Sequence, residues 1–196
     1  MKVEVKFVKI LCSACLLGER CKYNGGHNFS QSLIDWIAAA QQRQHQDNQH
    51  QDNQHNEQHA HYEQYGPHQE HQYEQYQELV EVIPVCPEIL GGLPTPRVPA
   101  EIVNGVVINR EGQSVDKEFR LGAQKALQIA LAERVDIAIL QSRSPSCGVN
   151  EIYDGSFTGK RIKGSGIFAT VLKTHGIRVF DVADIENVER MKDMRI

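Results

Sequence analysis

The chain has 196 residues, a formal net charge of -4 and a sequence pI near 6.1. This length suits one domain with its own hydrophobic core, and we expect a single domain. The charge balance lacks the broad basic footprint that duplex nucleic acid requires, and no segment approaches the roughly 20 apolar residues of a membrane span.

The cysteines and the N-terminus predict a cytoplasmic protein. The chain has five cysteines, an odd number, and charged residues interrupt its first apolar run, MKVEVKFVKILCSACLLG. A secretory signal would need an unbroken apolar stretch there. Because cytoplasmic thiols stay reduced, we expect clustered cysteines to hold metal or do chemistry rather than form disulfides.

Predicted strands and helices alternate through the first half of the chain. VEVKFVKILCSA is a strand that becomes buried toward its end. NFSQSLIDWIAAAQQ is a helix that Asn28 or Ser30 caps. ELVEVIPVCPE is a second strand, and EIVNGVVINREGQSVD is a hairpin that turns at Asn104 and Gly105.

The second half continues the alternation. Asp116 can cap the helix KEFRLGAQKALQIALAER, and VDIAILQSRSPSCG is a strand running into a polar turn. GSGIFATVLKTHG is a helix closed by Gly176, IRVFDV a last strand and DIENVERMKDM a closing helix. The pattern predicts an α/β fold, with a mainly parallel Rossmann-like sheet, helices on both faces and one small β-hairpin.

A low-complexity segment interrupts the predicted domain at about residues 41–77. It is dominated by Gln and His, and QHQDN at 44–48 repeats at 49–53. Such a composition buries too little apolar surface to offset its ordering entropy, which indicates a mobile surface insert. The alternative is weak binding of divalent metals. Seven histidines would carry that binding: His45, His50, His55, His59, His61, His68 and His71.

The spacing Cys12-x2-Cys15-x5-Cys21 raises two hypotheses. A local metal clip would use these thiols with His27 as the fourth ligand, as in zinc sites. In the second hypothesis Cys15 is the ligand from this stretch, and Cys12 is a buried core thiol within the strand. Cys21 remains ambiguous under either hypothesis.

Three cysteines fall at the ends of predicted strands. Cys15 follows the first strand, Cys86 ends the second, and Cys147 lies in the turn after DIAIL. Ligand crevices in open parallel sheets lie beyond the carboxyl ends of the strands, so these three thiols could meet at one point. Three thiolates are one short of filling a 4Fe-4S cubane, which leaves one iron open to bind substrate as a Lewis acid.

Four stretches of the sequence follow one another in a fixed order, and the first three carry these cysteine boxes. They are SACLLGERCKYNGG, PVCPEILGGLPTPRVPAEI, LQSRSPSCGVNEIYDGSFTGK and GSGIFATVLKTHGIRVF, and the similarity covers about residues 8–40 and 78–182. Together they resemble the thiouracil desulfidase family, formerly domain of unknown function 523. The chain ends soon after IRVF, so it resembles the stand-alone short form.

The resemblance implies a cofactor and a reaction. The cofactor is a 4Fe-4S cluster held by Cys15, Cys86 and Cys147, with one open iron. That iron takes the sulfur from a thiolated nucleobase such as 2-thiouracil.

Desulfidation also needs groups that move protons and replace the sulfur with water. Glu88, two residues after Cys86, is the first candidate for proton transfer, and Ser144 is the second, to orient substrate or water. Their structural alternatives are a solvated carboxylate and a turn-stabilising hydroxyl. Weaker candidates for substrate binding are Ser13, Ser146 and Arg97, although Arg97 could instead pair with an acidic residue such as Glu101.

Two function classes follow. The first is a desulfidase, lyase or hydrolase-like, that cleaves a C–S bond and releases the oxygenated base and sulfide. The second is a non-enzymatic iron-sulfur or sulfur-carrier protein, which would need neither Glu88 nor Ser144. We expect a small thiolated base as the partner, and the composition argues against a tRNA substrate. The oligomeric state is not predicted.

Overall fold

A computed structural model describes residues 4–39, 41 and 76–185. The strands in this part of the chain are β1 (Glu4–Ser13), β2 (Tyr76–Val85), β3 (Ala100–Val103), β4 (Val106–Asn109), β5 (Ile137–Leu140), β6 (Glu151–Tyr153), β7 (Arg161–Lys163) and β8 (Arg178–Asp181). The helices are α1 (31–39), α2 (Pro87–Leu90), α3 (Asp116–Ala132), α4 (Ile167–Thr174) and α5 (Val182–Ile185), with a 3-10 turn at Ala14–Leu17.

The central sheet is parallel throughout. Its strand order is β2-β1-β5-β8, so β1 lies between β2 and β5. β1 pairs with β2 over ten residues and with β5 over three, from Ile10 opposite Ile137 to Cys12 opposite Ile139. The α/β fold predicted from the alternating pattern is confirmed.

Helices cover both faces of this sheet. On one face α3 and α4 pack on Leu11, Ala138 and Leu140. On the other, α1 and α5 pack on Ile10, Ile137 and other alternate strand positions. Strands covered on both sides are apolar at successive positions, as the IAIL sequence of β5 is, with all four residues buried.

The predicted hairpin forms between β3 and β4. Asn104 and Gly105 both have positive φ, 50° and 80°, which is the geometry of the favoured two-residue hairpin turn. The sequence did not predict the second antiparallel pair, β6 and β7, whose strands are only three residues long.

The helix caps were predicted with mixed success. Ser30 Oγ accepts the N–H of Leu33 at 3.2 Å and caps α1, as predicted. The cap assigned to Asp116 is wrong. Asp116 is the first residue of α3, and its carboxylate accepts the Val107 N–H from β4 at 3.1 Å and the Arg120 guanidinium at 2.6 Å.

Two other expectations concern parts of the chain that are not described. Residues 42–75 hold nearly all of the predicted Gln/His-rich insert with its seven histidines, and they lie outside the described residues. The predicted closing helix is described only as far as Ile185.

Close contact between α2 and α3 fixes the segment that follows β2. A Cβ placed on Gly122 of α3 would lie 1.8 Å from the Pro87 carbonyl oxygen, and one on Gly91 would lie 2.1 Å from the Glu118 carbonyl oxygen. Neither contact leaves room for a side chain. These glycines therefore let α2 sit directly on α3, with Cys86 and Glu88 held at the sheet edge.

Gly122→Ala is expected to destabilise the protein by about 2 kcal/mol. Alanine gains about 1 kcal/mol in helix propensity, but over-packing against backbone costs about 3 kcal/mol. Urea unfolding measures the difference. The control is Gln124→Ala, an exposed position on the same helix, for which we expect a change of no more than about 0.5 kcal/mol. Equal stability of the Gly122 variant and the wild type would contradict this account of the helix contact.

Candidate active site

A cavity of about 710 Å³ opens at the carboxyl ends of β1, β2 and β5. It lies where an open parallel sheet places its ligands. Of the catalytic, substrate-binding and metal-binding candidates predicted from the sequence, those that line it are Ser13, Cys15, Cys86, Glu88, Arg97, Ser144 and Cys147. Ser146, the remaining candidate, is fully buried behind this lining.

The three strand-end cysteines reach the cavity from different elements. Cys15 lies in the 3-10 turn after β1, Cys86 precedes α2 directly after β2, and Cys147 lies in the turn that follows β5. Because β1 is hydrogen-bonded to both β2 and β5, the ends of these strands are neighbours. Cys147 is buried, whereas Cys15 and Cys86 are partly exposed to the cavity.

Ser144 shapes the turn that carries Cys147. Its Oγ accepts the backbone N–H groups of Ser146 and Cys147, both at 3.1 Å. With two donors on the oxygen, the hydroxyl proton is directed toward Glu88 Oε1, 3.5 Å away. Ser144 thus stabilises the turn, and its hydroxyl also faces the carboxylate of Glu88.

Cys21 is a fourth thiol at this site, which sequence reasoning left ambiguous. It lines the same cavity, and the Cys86 thiol lies 3.9 Å from its backbone carbonyl oxygen. The sequence feature that could have assigned Cys21 to this site is its position in the loop after Cys15. That loop returns to its start, since the Asn28 N–H donates to the Cys15 carbonyl at 2.9 Å.

The surroundings of the thiols favour their protonated forms. Burial raises the pKa of Cys147 to about 12. Hydrogen bonding with Cys15 raises the pKa of Cys21 to about 11, and hydrogen bonding with Cys21 together with burial raises the pKa of Cys86. Binding of iron to such thiols must release protons, so metal loading is favoured as the pH rises.

Of the residues of the local metal clip considered from the sequence, Cys12 and His27 do not line the cavity. Cys12 is fully buried on the α1 face of the sheet among Ile10, Leu33 and Ile139, where burial raises its pKa to about 12. His27 Nδ1 accepts the Phe29 N–H at 3.2 Å. Within the described residues, no three His, Cys, Asp or Glu side chains converge closely enough to hold a single metal ion.

Arg97 pairs with Glu88 rather than with Glu101. Its Nε and Nη2 lie 2.8 and 2.5 Å from Glu88 Oε2, and the two side chains are 7% and 15% exposed. Nη2 also donates to the Cys21 carbonyl at 3.1 Å. Glu101 instead accepts the N–H groups of Gly155 and Phe157. Arg97 therefore ties the carboxylate of Glu88 to the loop that carries Cys21.

Arg97→Ala is expected to destabilise the protein by about 3 kcal/mol, because it leaves a largely buried carboxylate without its partner. The matched control is Arg120→Ala, which breaks the exposed pair with Asp116 and should cost about 0.5 kcal/mol. Urea unfolding of both variants measures the contrast. Equal losses in the two variants would contradict a specific role for the Arg97–Glu88 pair.

Two hydroxyls surround Cys147. Ser13 Oγ accepts the Gln141 N–H at 3.0 Å, linking the ends of β1 and β5. Ser146 Oγ is buried and has no hydrogen-bond partner of good geometry among the described residues. Both hydroxyls act to lower the pKa of Cys147, against the larger effect of burial. They are donors available to a negatively charged group at this position.

Two aromatic residues from loops line the cavity. Phe157, from the YDGSFTGK loop that the sequence left without a role, has a φ of 57° and stacks against the Arg110 guanidinium at 5.9 Å. Positive φ is strained for a bulky residue, and the backbone N–H groups of Gly155 and Phe157, which both donate to the Glu101 carboxylate, hold the loop in place. Tyr23 also lines the cavity and is 40% exposed.

These features define an α/β protein with a cysteine-lined cavity at the carboxyl edge of a parallel sheet. The sequence matches the 2-thiouracil desulfurase family over residues 56–184. It is 31% identical over 189 residues to the uncharacterized protein YbbK of Bacillus subtilis (strain 168), covering 91% of this chain and 99% of that protein.

Comparison with a solved structure also shows similarity to a thiouracil desulfidase. The fold matches that of the 4Fe-4S-dependent thiouracil desulfidase TudS, with a TM-score of 0.66 and 30% sequence identity over 95% of this chain and 99% of that one. The chain belongs to the 2-thiouracil desulfurase family, and the resemblance noted from its cysteine boxes is confirmed. Within the described residues, no helix combines the length and apolarity of a membrane span.

Proposed function

We propose that the protein is a 4Fe-4S-dependent desulfidase. It removes sulfur from a small thiolated nucleobase such as 2-thiouracil and releases the oxygenated base and sulfide. One observation carries the proposal: Cys15, Cys86 and Cys147 line one cavity together with Glu88 and Ser144. A sulfur carrier would need the thiols but not the proton-transfer groups.

The residues present fit an iron-sulfur cluster. Cysteine thiols are its usual protein ligands, and here they come from three separate strand ends. The buried Ser146 hydroxyl, which has no hydrogen-bond partner of good geometry in the described part of the chain, can donate to a sulfur atom beside Cys147. In this proposal Cys15, Cys86 and Cys147 hold the cluster, and its remaining iron supplies a thiophilic Lewis acid.

The two oxygens of Glu88 face different partners. Oε2 is held by Arg97, and Oε1 faces the Ser144 hydroxyl at 3.5 Å. The guanidinium thus fixes the carboxylate, while Oε1 remains available to exchange protons with water or substrate. Ser144, held by two backbone donors, orients the group that exchanges the proton.

The rest of the cavity binds and shields the base. Phe157 and Tyr23 offer aromatic surface of the kind on which a nucleobase stacks. Of the two serines beside Cys147, Ser13 lines the cavity and can bind the base, whereas Ser146 lies behind the lining. The Arg97 guanidinium donates hydrogen bonds to Glu88, to the Cys21 carbonyl and to the 94–95 loop. Its part in substrate binding is therefore indirect.

Repeated turnover of 2-thiouracil by the anaerobically reconstituted full chain tests the proposal. We expect many molecules of uracil and of sulfide per cluster, in equal amounts. A carrier would stop after about one sulfur per cluster, because its single open iron would then be occupied. Cluster-loaded protein that forms no uracil beyond that first event would refute the desulfidase and favour the carrier.

A further inference from the structure

Glu101 supplies a second carboxylate to the cavity, to which the proposed reaction assigns no role. The residue is 8% exposed and lines the cavity. Its Oε2 accepts the N–H groups of Gly155 at 2.9 Å and of Phe157 at 3.1 Å. Its Oε1 makes no hydrogen bond to the described residues, and Glu101 has no ion-pair partner among them. A buried carboxylate with a free oxygen is costly unless a donor reaches that oxygen.

The free oxygen of Glu101 is accessible from the cavity. Within the described part of the chain, Ser146 Oγ is the polar side-chain atom that has neither a partner nor contact with solvent. Oε1 of Glu101 therefore keeps its access, and the space that Glu101 lines is the cavity. A ligand in the cavity can supply the missing donor.

The loop that follows β6 lies directly on the strand that carries Glu101. Gly155 has a φ of 87°, and a Cβ there would lie 2.8 Å from the Ile102 carbonyl oxygen of β3, so glycine is required. Phe157, two residues later, lines the cavity. Because the Phe157 N–H binds Glu101, the carboxylate and the aromatic residue are fixed together in the cavity wall.

An ionised carboxylate can only accept hydrogen bonds, so Oε1 favours a ligand that carries a donor. In 2-thiouracil N3–H is the best donor, because it lies between a carbonyl and a thiocarbonyl group that both polarise it. We propose that Glu101 Oε1 accepts the N3–H of the base and thereby determines which thiolated bases are bound. This inference rests on the proposed function and narrows its substrates to bases with a hydrogen on N3.

The chain places Glu101 at a suitable distance from the proton-transfer group. Glu101 follows Arg97, the partner of Glu88, by four residues, which span at most about 13 Å. One base with a hydrogen bond at each end covers a distance of the same order. That distance allows a base whose sulfur faces the cysteines to reach Glu101 with N3–H.

Two methylated substrates isolate the contact at N3. 1-Methyl-2-thiouracil carries N3–H, whereas 1-methyl-2-thiocytosine presents a lone pair there. The cavity of about 710 Å³ leaves room for the methyl group that both share. We expect the reconstituted wild type to prefer the uracil derivative by about 10²-fold in kcat/KM, because a carboxylate repels a lone pair. Similar rates with both, or turnover of 2-thiouracil without turnover of 1-methyl-2-thiouracil, would overturn the proposal.

Glu101→Gln changes the free acceptor into a donor. The amide oxygen can still accept the N–H groups of Gly155 and Phe157, so the NH₂ group takes the place of Oε1. The preference for the uracil derivative should fall at least about 10-fold, with iron content unchanged. The control is Glu111→Gln, outside the cavity, which should keep the wild-type preference. An unchanged preference in Glu101→Gln would overturn the proposal.

Glu101→Ala separates support of the loop from recognition of the base. It removes the acceptor for the loop and the acceptor for N3–H together. We expect kcat/KM to fall for both methylated substrates, and to fall more for 1-methyl-2-thiouracil. An alanine variant that is less active but as selective as the wild type would reduce Glu101 to a support of the loop and overturn the proposal.

Binding of the oxygenated bases distinguishes this inference from the proposed function. Calorimetry with 1-methyluracil and 1-methylcytosine needs the reconstituted full chain but no turnover. The wild type should bind 1-methyluracil more tightly, and Glu101→Gln should narrow the difference at least about 10-fold. This result in a wild type that forms no uracil from 2-thiouracil would refute only the desulfidase. Turnover of 2-thiouracil without this dependence on Glu101 would overturn only the inference.

Discussion

Replacing Cys147 by alanine is expected to abolish both cluster binding and uracil formation. Cys147 lies in the turn that follows β5 and is the most buried of the thiols that line the cavity. Without the thiol, one iron of the cluster would face a methyl group. The wild type should bind about four irons per chain, and the variant should lose most of them. Iron and sulfide analysis after anaerobic reconstitution measures the loss.

Cys12→Ala is the matched control for this experiment. It removes an equally buried thiol, but on the opposite face of the sheet, among Leu33 and Ile139. We expect it to bind the same iron as the wild type and to lose about 1 kcal/mol of stability through the small void it creates. A Cys147 variant with full iron, or a Cys12 variant without iron, would contradict the assigned cluster site.

Glu88→Gln is expected to lower kcat by about 10²- to 10⁴-fold while leaving iron content unchanged. The amide retains the size of the carboxylate and can still accept a hydrogen bond from Arg97. It cannot take up and return a proton at neutral pH. Uracil formation and iron content, measured on the same sample, distinguish loss of chemistry from loss of the cluster.

The same chemical change at Glu111 is the control. Glu111 is exposed in the turn between β4 and α3, and its side chain lies outside the cavity. Glu111→Gln should therefore turn over substrate as the wild type does. If Glu88→Gln turned over substrate as fast as the wild type, Glu88 would have no role in proton transfer. It would then be only the structural partner of Arg97.

The position of the site was predictable because it depends on topology. Cys15, Cys86 and Cys147 follow three strands, and parallel strands end at one edge of a sheet. No contact between side chains had to be known for that step. The α/β pattern and the strand-end positions of the cysteines were sufficient to place them near each other.

The partners of Arg97 and Asp116 were not predictable, because they depend on how loops pack. Arg97 reaches Glu88 since its own N–H binds the Tyr23 carbonyl, which draws the 94–97 loop toward the Cys21 loop. Asp116 was expected to cap α3, but the Val107 N–H and Arg120 compete for its carboxylate. Where a side chain has several possible hydrogen-bond partners, tertiary contacts determine which of them it binds.

The hydrogen bonds of Asp116 also affect its ionisation. Burial opposes the charged form, but hydrogen bonds from Arg120 and from the Val107 N–H outweigh it, so the pKa of Asp116 is lowered. A carboxyl group with a lowered pKa in the folded state stabilises the fold above its unfolded pKa. The contact between α3 and the hairpin should therefore weaken as the pH falls through the lowered pKa.

A crystal structure of the anaerobically reconstituted protein tests the central claim most directly. The account predicts one 4Fe-4S cluster in the cavity, bound by Cys15, Cys86 and Cys147, with Glu88 and Ser144 facing it and Cys12 still buried against α1. A cluster bound through Cys12, or a single metal ion held by the 12–27 segment, would contradict it.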